Sequence, residues 1–112
     1  MTAARLLAAL GHSVVHTGDA DEAEVLIQRG GFDVIMMDLL LENADGLALA
    51  DRLEEIAAGA VKLLFISGSD VGPLDEQPWL QGPHRRFLSK PFSAAALQSE
   101  LDLLVGDFLG PA

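Results

Sequence analysis

The fold class this sequence of 112 residues predicts is a doubly wound α/β domain on a parallel sheet. Two observations predict it. Short runs with apolar residues on both faces alternate with longer stretches of helical spacing, joined by short connections, which is the pattern of a parallel sheet covered by helices with right-handed crossovers. Three polar residues, Asp38, Ser67 and Lys90, each close an otherwise apolar run. In such folds ligands bind at the carboxyl ends of the strands, so the three are expected to converge on one pocket.

The elements follow in order. Ala3, Leu6, Leu7 and Leu10 mark one face of a short helix that Gly11 can close. His12 to Thr17 is β-rich between Gly11 and Gly18 and reads as a strand. Asp19 with Glu22 forms a capping-box-like start to a helix carrying Ala23, Leu26 and Ile27, ended by Gly30-Gly31. Asp33 to Asp38 is a strand, and a helix from about Asp45 to Ala58 carries Leu49, Leu53 and Ile56 on one face. Val61 to Ser67 is a second doubly buried strand. The glycines and prolines between Ser69 and Pro83 leave room for one short helix around Leu74 to Leu80. Arg86 to Ser89 is a brief strand and Lys90-Pro91 a turn. Ser93 caps a last helix with Leu97, Leu101, Leu104 and Phe108 on one side.

Composition bounds the function. The length suits a single domain, residues 1–112, and a 50% hydrophobic content argues against disorder. No apolar run approaches the roughly 20 residues that span a bilayer, and the first residues lack a signal-peptide pattern, so a soluble cytoplasmic chain is expected. The absence of cysteine removes disulfides and thiolate metal sites. A net charge of −10 repels nucleic acid and anionic membrane, and the basic cluster His84-Arg85-Arg86 reads as a solvated loop end. His12 and His16 share a strand face without a third ligand nearby, and Asp19-Ala-Asp21 lacks the glycine of a calcium loop where Glu24 stands. Met36 and Met37 read as core filling and Trp79 as packing over the last strand.

A carboxylate, a hydroxyl and an ammonium in reach of one another suit an aspartate that takes a phosphoryl group, with the other two holding the incoming oxygens. They equally suit a structural Asp-Lys pair beside a serine, and the residues alone leave both open.

"DVIMMDLLLENADG", "LLFISGS" and "RFLSKPF" resemble three signatures of the response-regulator receiver family, closest in style to receivers serving hybrid histidine kinases. The resemblance implies a flavodoxin-like fold and a signalling module rather than an enzyme. It makes Asp38 the phosphoacceptor, Ser67 the hydroxyl that moves to the phosphoryl group and Lys90 its salt-bridge partner. Lys90 would be joined to Pro91 by a cis peptide, Phe87 would be the switch aromatic, and Gly68 would keep access to Asp38 open. The implied partner is a histidine kinase or phosphotransfer protein.

The sequence departs from the family at its start. A receiver normally begins with a central strand ending in two acids that, with the phosphoacceptor and a backbone carbonyl, hold Mg²⁺, and that strand would lie before Met1. Mg²⁺ binding by Asp38 and the Leu40 carbonyl alone is therefore expected to be weak. Glu42, Asp45 and Asp70 read as solvated loop acids. Four strands per chain are expected, with the first strand missing. The resulting gap would be covered by rearrangement of strand 12–17, by exchange between chains in a homodimer through the exposed sheet edge, or by residues upstream of Met1 in the natural protein. A degenerate, phosphorylation-independent interaction domain is the alternative reading.

Overall fold

A computed structural model describes residues 3–38, 45–68, 77–80 and 84–109 of the chain. The elements are α1 (Ala3–Ala9), α2 (Ala20–Arg29), β1 (Val34–Asp38), α3 (Asp45–Ala57), β2 (Lys62–Ser67), a 3₁₀ turn (Pro78–Leu80), β3 (Arg85–Ser89) and α4 (Ala94–Leu109). The strands form one parallel sheet in the order β1-β2-β3.

Local chemistry sets most of the boundaries. Asp19 caps α2 by accepting from the backbone N–H of Asp21 at 2.9 Å and of Glu22 at 3.4 Å. Ser93 caps α4, its Oγ accepting from Ala96 N–H at 3.0 Å. Gly11, at φ +94°, takes the left-handed conformation that closes α1, and a side chain there would be strained.

Strand β2 is the middle of the sheet and is buried from end to end. Its alternate residues serve two cores. Leu64 and Ile66 pack with Leu97, Leu101 and Leu104 of α4, and Leu6, Leu7 and Leu10 of α1 join that side. Leu63 and Phe65 pack with Ala50 of α3, with Leu47, Leu80 and Phe87 around them. Strand β1 alternates in the same way, Val34 and Met36 toward α4 and Ile35 and Met37 toward α3. Both methionines fill core, as their positions in the sequence suggest. Helix α2 has no fully buried residue and packs chiefly on α3, where Arg52 reaches Glu24 at 3.2 Å.

Two expectations need correction. The sheet has three strands among the described residues rather than four, because His12–Thr17 is not a strand and does not pair with β1. Its β-branched residues favour extended backbone only where a neighbour offers a ladder. Here the segment is held at both ends instead. The His12 ring lies 3.1 Å from Gln98 of α4, and Thr17 Oγ1 accepts from Asp19 N–H at 3.1 Å. The short helix expected around Leu74–Leu80 is described only from Gln77 onward, where Pro78–Leu80 forms a 3₁₀ turn; residues 74–76 and the side chains of Trp79 and Phe108 lie outside the description.

The second correction concerns His84-Arg85-Arg86. Arg85 and Arg86 are strand residues, not a solvated loop end. The Arg85 guanidinium donates to Glu54 from Nε at 2.9 Å and from Nη2 at 2.7 Å, reaches Asp51 at 2.7 Å and lies 5.6 Å over the Phe65 ring. Arg86 projects to the other face and pairs with Glu100 of α4. Hydrogen bonding to Glu54, and then to Asp51, holds the Arg85 guanidinium above its ordinary range, and Glu100 does the same for Arg86.

Leu64 is fully buried between β1 and β3. Leu64→Ala is expected to destabilise the domain by about 2 to 5 kcal/mol, read from urea unfolding.

Candidate functional site

The register of the sheet builds the site. Asp38 lies opposite Ile66, and Ser67 lies opposite Ser89, so the three strands end within one residue of each other. Lys90 continues the ladder by one bond, its backbone N–H donating to Ser67 O at 2.8 Å. That bond places the lysine over the end of β1. Lys90 Nζ then meets Asp38 Oδ2 at 2.5 Å, with the two side chains 40% and 54% exposed. The carboxylate and the ammonium predicted to converge from separate strands do so, at the carboxyl edge of the sheet.

Ser67 ends the same edge but projects differently. It shares the side of β2 that carries Leu63 and Phe65, whereas Asp38 shares the side of β1 that carries Val34 and Met36. It is buried, with 1% exposure, and among the described residues no buried side-chain polar atom lacks a hydrogen-bond partner. Phe87 lies opposite Phe65 in the ladder and is half-buried in the core on Ser67's side. Gly68 follows Ser67 at the surface, and a Cβ built on it would meet nothing within 4 Å. The Lys90-Pro91 peptide is cis.

These placements were tested against a metal. Mg²⁺ prefers six oxygen ligands in octahedral array. Among the described residues no three acids or histidines cluster to hold a metal, and the Asp38 carboxylate is engaged by Lys90. The Leu40 carbonyl, Glu42 and Asp70 lie outside the described residues, as does the side chain of Asp45. The described donors therefore do not amount to a Mg²⁺ site. His12 and His16 are both exposed, and no three-residue metal cluster includes them among the described residues.

With this geometry in view, comparison with known proteins is decisive. The family model of the response regulator receiver domain matches residues 1–102. The chain belongs to the response regulator receiver family. It is 35% identical over 89 residues to a gliding motility regulatory protein of Myxococcus xanthus, and 33% identical over 98 residues to a transcriptional activator protein of Pseudomonas aeruginosa. Those matches cover 80% and 85% of this chain but only 12% and 30% of the relatives, so the chain spans a fraction of their length. A response regulator receiver protein of Brucella abortus is 29% identical over 96 residues, which is 85% of this chain and 78% of that one. Among solved structures, the receiver domain of a sensor histidine kinase from Pseudomonas aeruginosa, which has a magnesium ion in its active-site cleft, superposes with a TM-score of 0.72 at 27% identity. That match covers 91% of this chain and 84% of the other. A response regulator from Thermotoga maritima shares the fold at a TM-score of 0.74 and 20% identity, over 91% of this chain and 83% of that one. The receiver's flavodoxin-like architecture and its place in two-component signalling follow from this membership.

Sequence reasoning missed the two arginine ties of β3. A signal for them was present. Adjacent residues of a strand face opposite sides, so Arg85 and Arg86 had to reach different helices, and α3 and α4 offered Glu54 and Glu100.

The pair of Asp38 and Lys90 is open to solvent, where ion pairs contribute about 0 to 1 kcal/mol. Asp38→Ala is accordingly expected to leave the denaturation midpoint nearly unchanged, a result marking the pair as a site and not a structural support.

Proposed function

We propose that residues 1–112 act as one receiver module in which Asp38 accepts a phosphoryl group from the phosphohistidine of a histidine kinase or phosphotransfer protein. An Asp38 carboxylate oxygen attacks phosphorus, and the P–N bond to the donor imidazole breaks. The electron pair returns to that nitrogen, which takes up a proton, leaving an acyl phosphate on Asp38. The observation that carries this reading is the ammonium of Lys90 at 2.5 Å from a half-exposed carboxylate at the end of a strand. Positive charge placed there balances the charge that gathers on the transferred group.

Ser67 and Phe87 are the readout. Moving the Ser67 hydroxyl toward a phosphoryl group on Asp38 would vacate space on the face that it shares with Phe87, and the ring would follow. Gly68 leaves the approach to Asp38 unobstructed, and Pro91 holds the turn that aims Lys90. Mg²⁺ remains the family's cofactor, and Asp38 with the Leu40 carbonyl would be its ligands here. Such a thin set predicts slow phosphorylation.

The module's partners are the phosphodonor protein and a second copy of this chain, met through the sheet edge. No direct contact with nucleic acid or membrane is involved, in keeping with the charge of −10. No helix of the described residues is long and apolar enough to cross a membrane, and the module is assigned to the cytoplasm. The absence of a three-acid cluster among the described residues favours one second reading, a phosphorylation-independent interaction domain descended from a receiver.

Incubation with acetyl phosphate and Mg²⁺, followed by intact mass spectrometry, separates the two readings. The receiver reading expects a single acid-labile phosphoryl adduct that is absent in Asp38→Asn and reduced at least about tenfold in Lys90→Ala, as for loss of one positioned charge. An unmodified chain after prolonged incubation would leave the interaction domain as the function.

A further inference from the structure

The neighbours of Phe87 are firm toward the start of its strand and small toward the end. On the α3 face of the sheet, Arg85, Phe87 and Ser89 of β3 lie rung by rung beside Leu63, Phe65 and Ser67 of β2. Behind the ring, Arg85 is held by Glu54 and Asp51 and lies 5.6 Å over the Phe65 ring. Phe65 itself is fully buried and packs with Leu63 and Ala50. Arg85 could yield only by giving up its carboxylates, and Phe65 only by opening a cavity.

Phe87 is only half-buried, although the residue opposite it is buried completely. Its other neighbours on this face are the two serines, Ser67 diagonally across on β2 and Ser89 next along on β3. Side chains in these relations stand roughly 5 to 8 Å apart. The serines share a rung but not an environment, since Ser67 is 1% exposed and Ser89 lies open to solvent.

Departure of the Ser67 hydroxyl toward Asp38 frees little more than the volume of one oxygen atom. A phenyl ring can use that volume only where the side chain beside its path leaves room as well. Serine at position 89 does so, whereas a longer apolar side chain there would fill the flank and pack the ring into its outer place. We infer that Ser89 decides whether Phe87 can answer the movement of Ser67, its small side chain keeping open the flank through which the ring enters the space that the Ser67 hydroxyl gives up. The inference rests on the readout role proposed above for Ser67 and Phe87. Ser89 has the parity of the α3 face and Asp38 that of the α4 face, so Ser89 positions the ring and takes no part in the chemistry of the acceptor.

Fluorine NMR on the full 112-residue chain carrying fluorophenylalanine tests this. The chain has five phenylalanines, and the resonance lost in Phe87→Leu is that of Phe87. Its displacement between light and heavy water reports the exposure of the ring. Two triggers are applied. Acetyl phosphate with Mg²⁺ adds the phosphoryl group, followed by intact mass, and Ser67→Ala removes the hydroxyl with no phosphoryl group present. Each is expected to reduce the solvent sensitivity of the Phe87 resonance in the parent and equally in Ser89→Ala, which adds no bulk. In Ser89→Leu that reduction should be lost and in Ser89→Val weakened, while the phosphoryl adduct forms to the same extent as in the parent. Valine suits a strand and serves as the deciding variant where leucine disturbs the fold.

A Phe87 response that survives undiminished in both Ser89→Val and Ser89→Leu overturns the inference. So does a response already lost in Ser89→Ala, which would make the hydroxyl the requirement and not the size of the side chain. A ring that moves under neither trigger overturns it as well. The triggers also keep the two proposals apart: a missing adduct beside an intact Ser67→Ala series sinks the acceptor reading alone, and a normal adduct beside a response indifferent to residue 89 sinks this one alone.

Discussion

The parallel ladder on both sides of β2 is the constraint from which the rest of the molecule follows. A slip of one residue would turn every side chain of a strand to the opposite face, and the apolar alternation of Leu63 to Ile66 between two cores forbids it. With the register fixed, Asp38, Ser67 and Ser89 must end within one residue of each other, and the bond from Lys90 N–H to Ser67 O carries the ladder one residue further. Attraction between Asp38 and Lys90 could not achieve this alone. An exposed ion pair contributes at most about 1 kcal/mol, far less than the burial of the Leu and Phe side chains that align the strands.

That same alternation divides the site between the two faces. Asp38 has the parity of residues packed toward α4, and Ser67 and Phe87 that of residues packed toward α3. Asp38 and the pair Ser67 and Phe87 therefore stand on opposite faces of the sheet, with β2 as the wall between. Strand β3 is tied to both helical layers at its start, Arg85 to α3 and Arg86 to α4.

Much of this was legible in the residues. A carboxylate and an ammonium each closing an apolar run implied their meeting before any coordinate, since topology brings the carboxyl ends of parallel strands together, whereas the face that buries Ser67 depends on the register. The caps at Asp19 and Ser93 were equally local and equally visible. His12–Thr17 was misread because strand formation is a property of a pair: the residues have the propensity, and the neighbour that would realise it is not in the described fold. Arg85 and Arg86 were misread for the opposite reason. Their charge signalled solvent, yet partners on two helices far away in sequence let a strand hold them half-buried.

The distribution of charge ties the site to the sheet edge. Arg52, Arg85, Arg86 and Lys90 each sit on a carboxylate of this chain, so a molecule with 17 acids has spent much of its positive charge internally. Asp38 is both the residue that Lys90 neutralises and the last residue of β1. A phosphoryl group there would replace the single charge of the carboxylate with a phosphoryl dianion, a net gain of about one negative charge at the end of β1. In a chain with this register Asp38 cannot be moved away from the carboxyl edge of the sheet, because the burial that aligns it with Lys90 also makes it the terminus of β1.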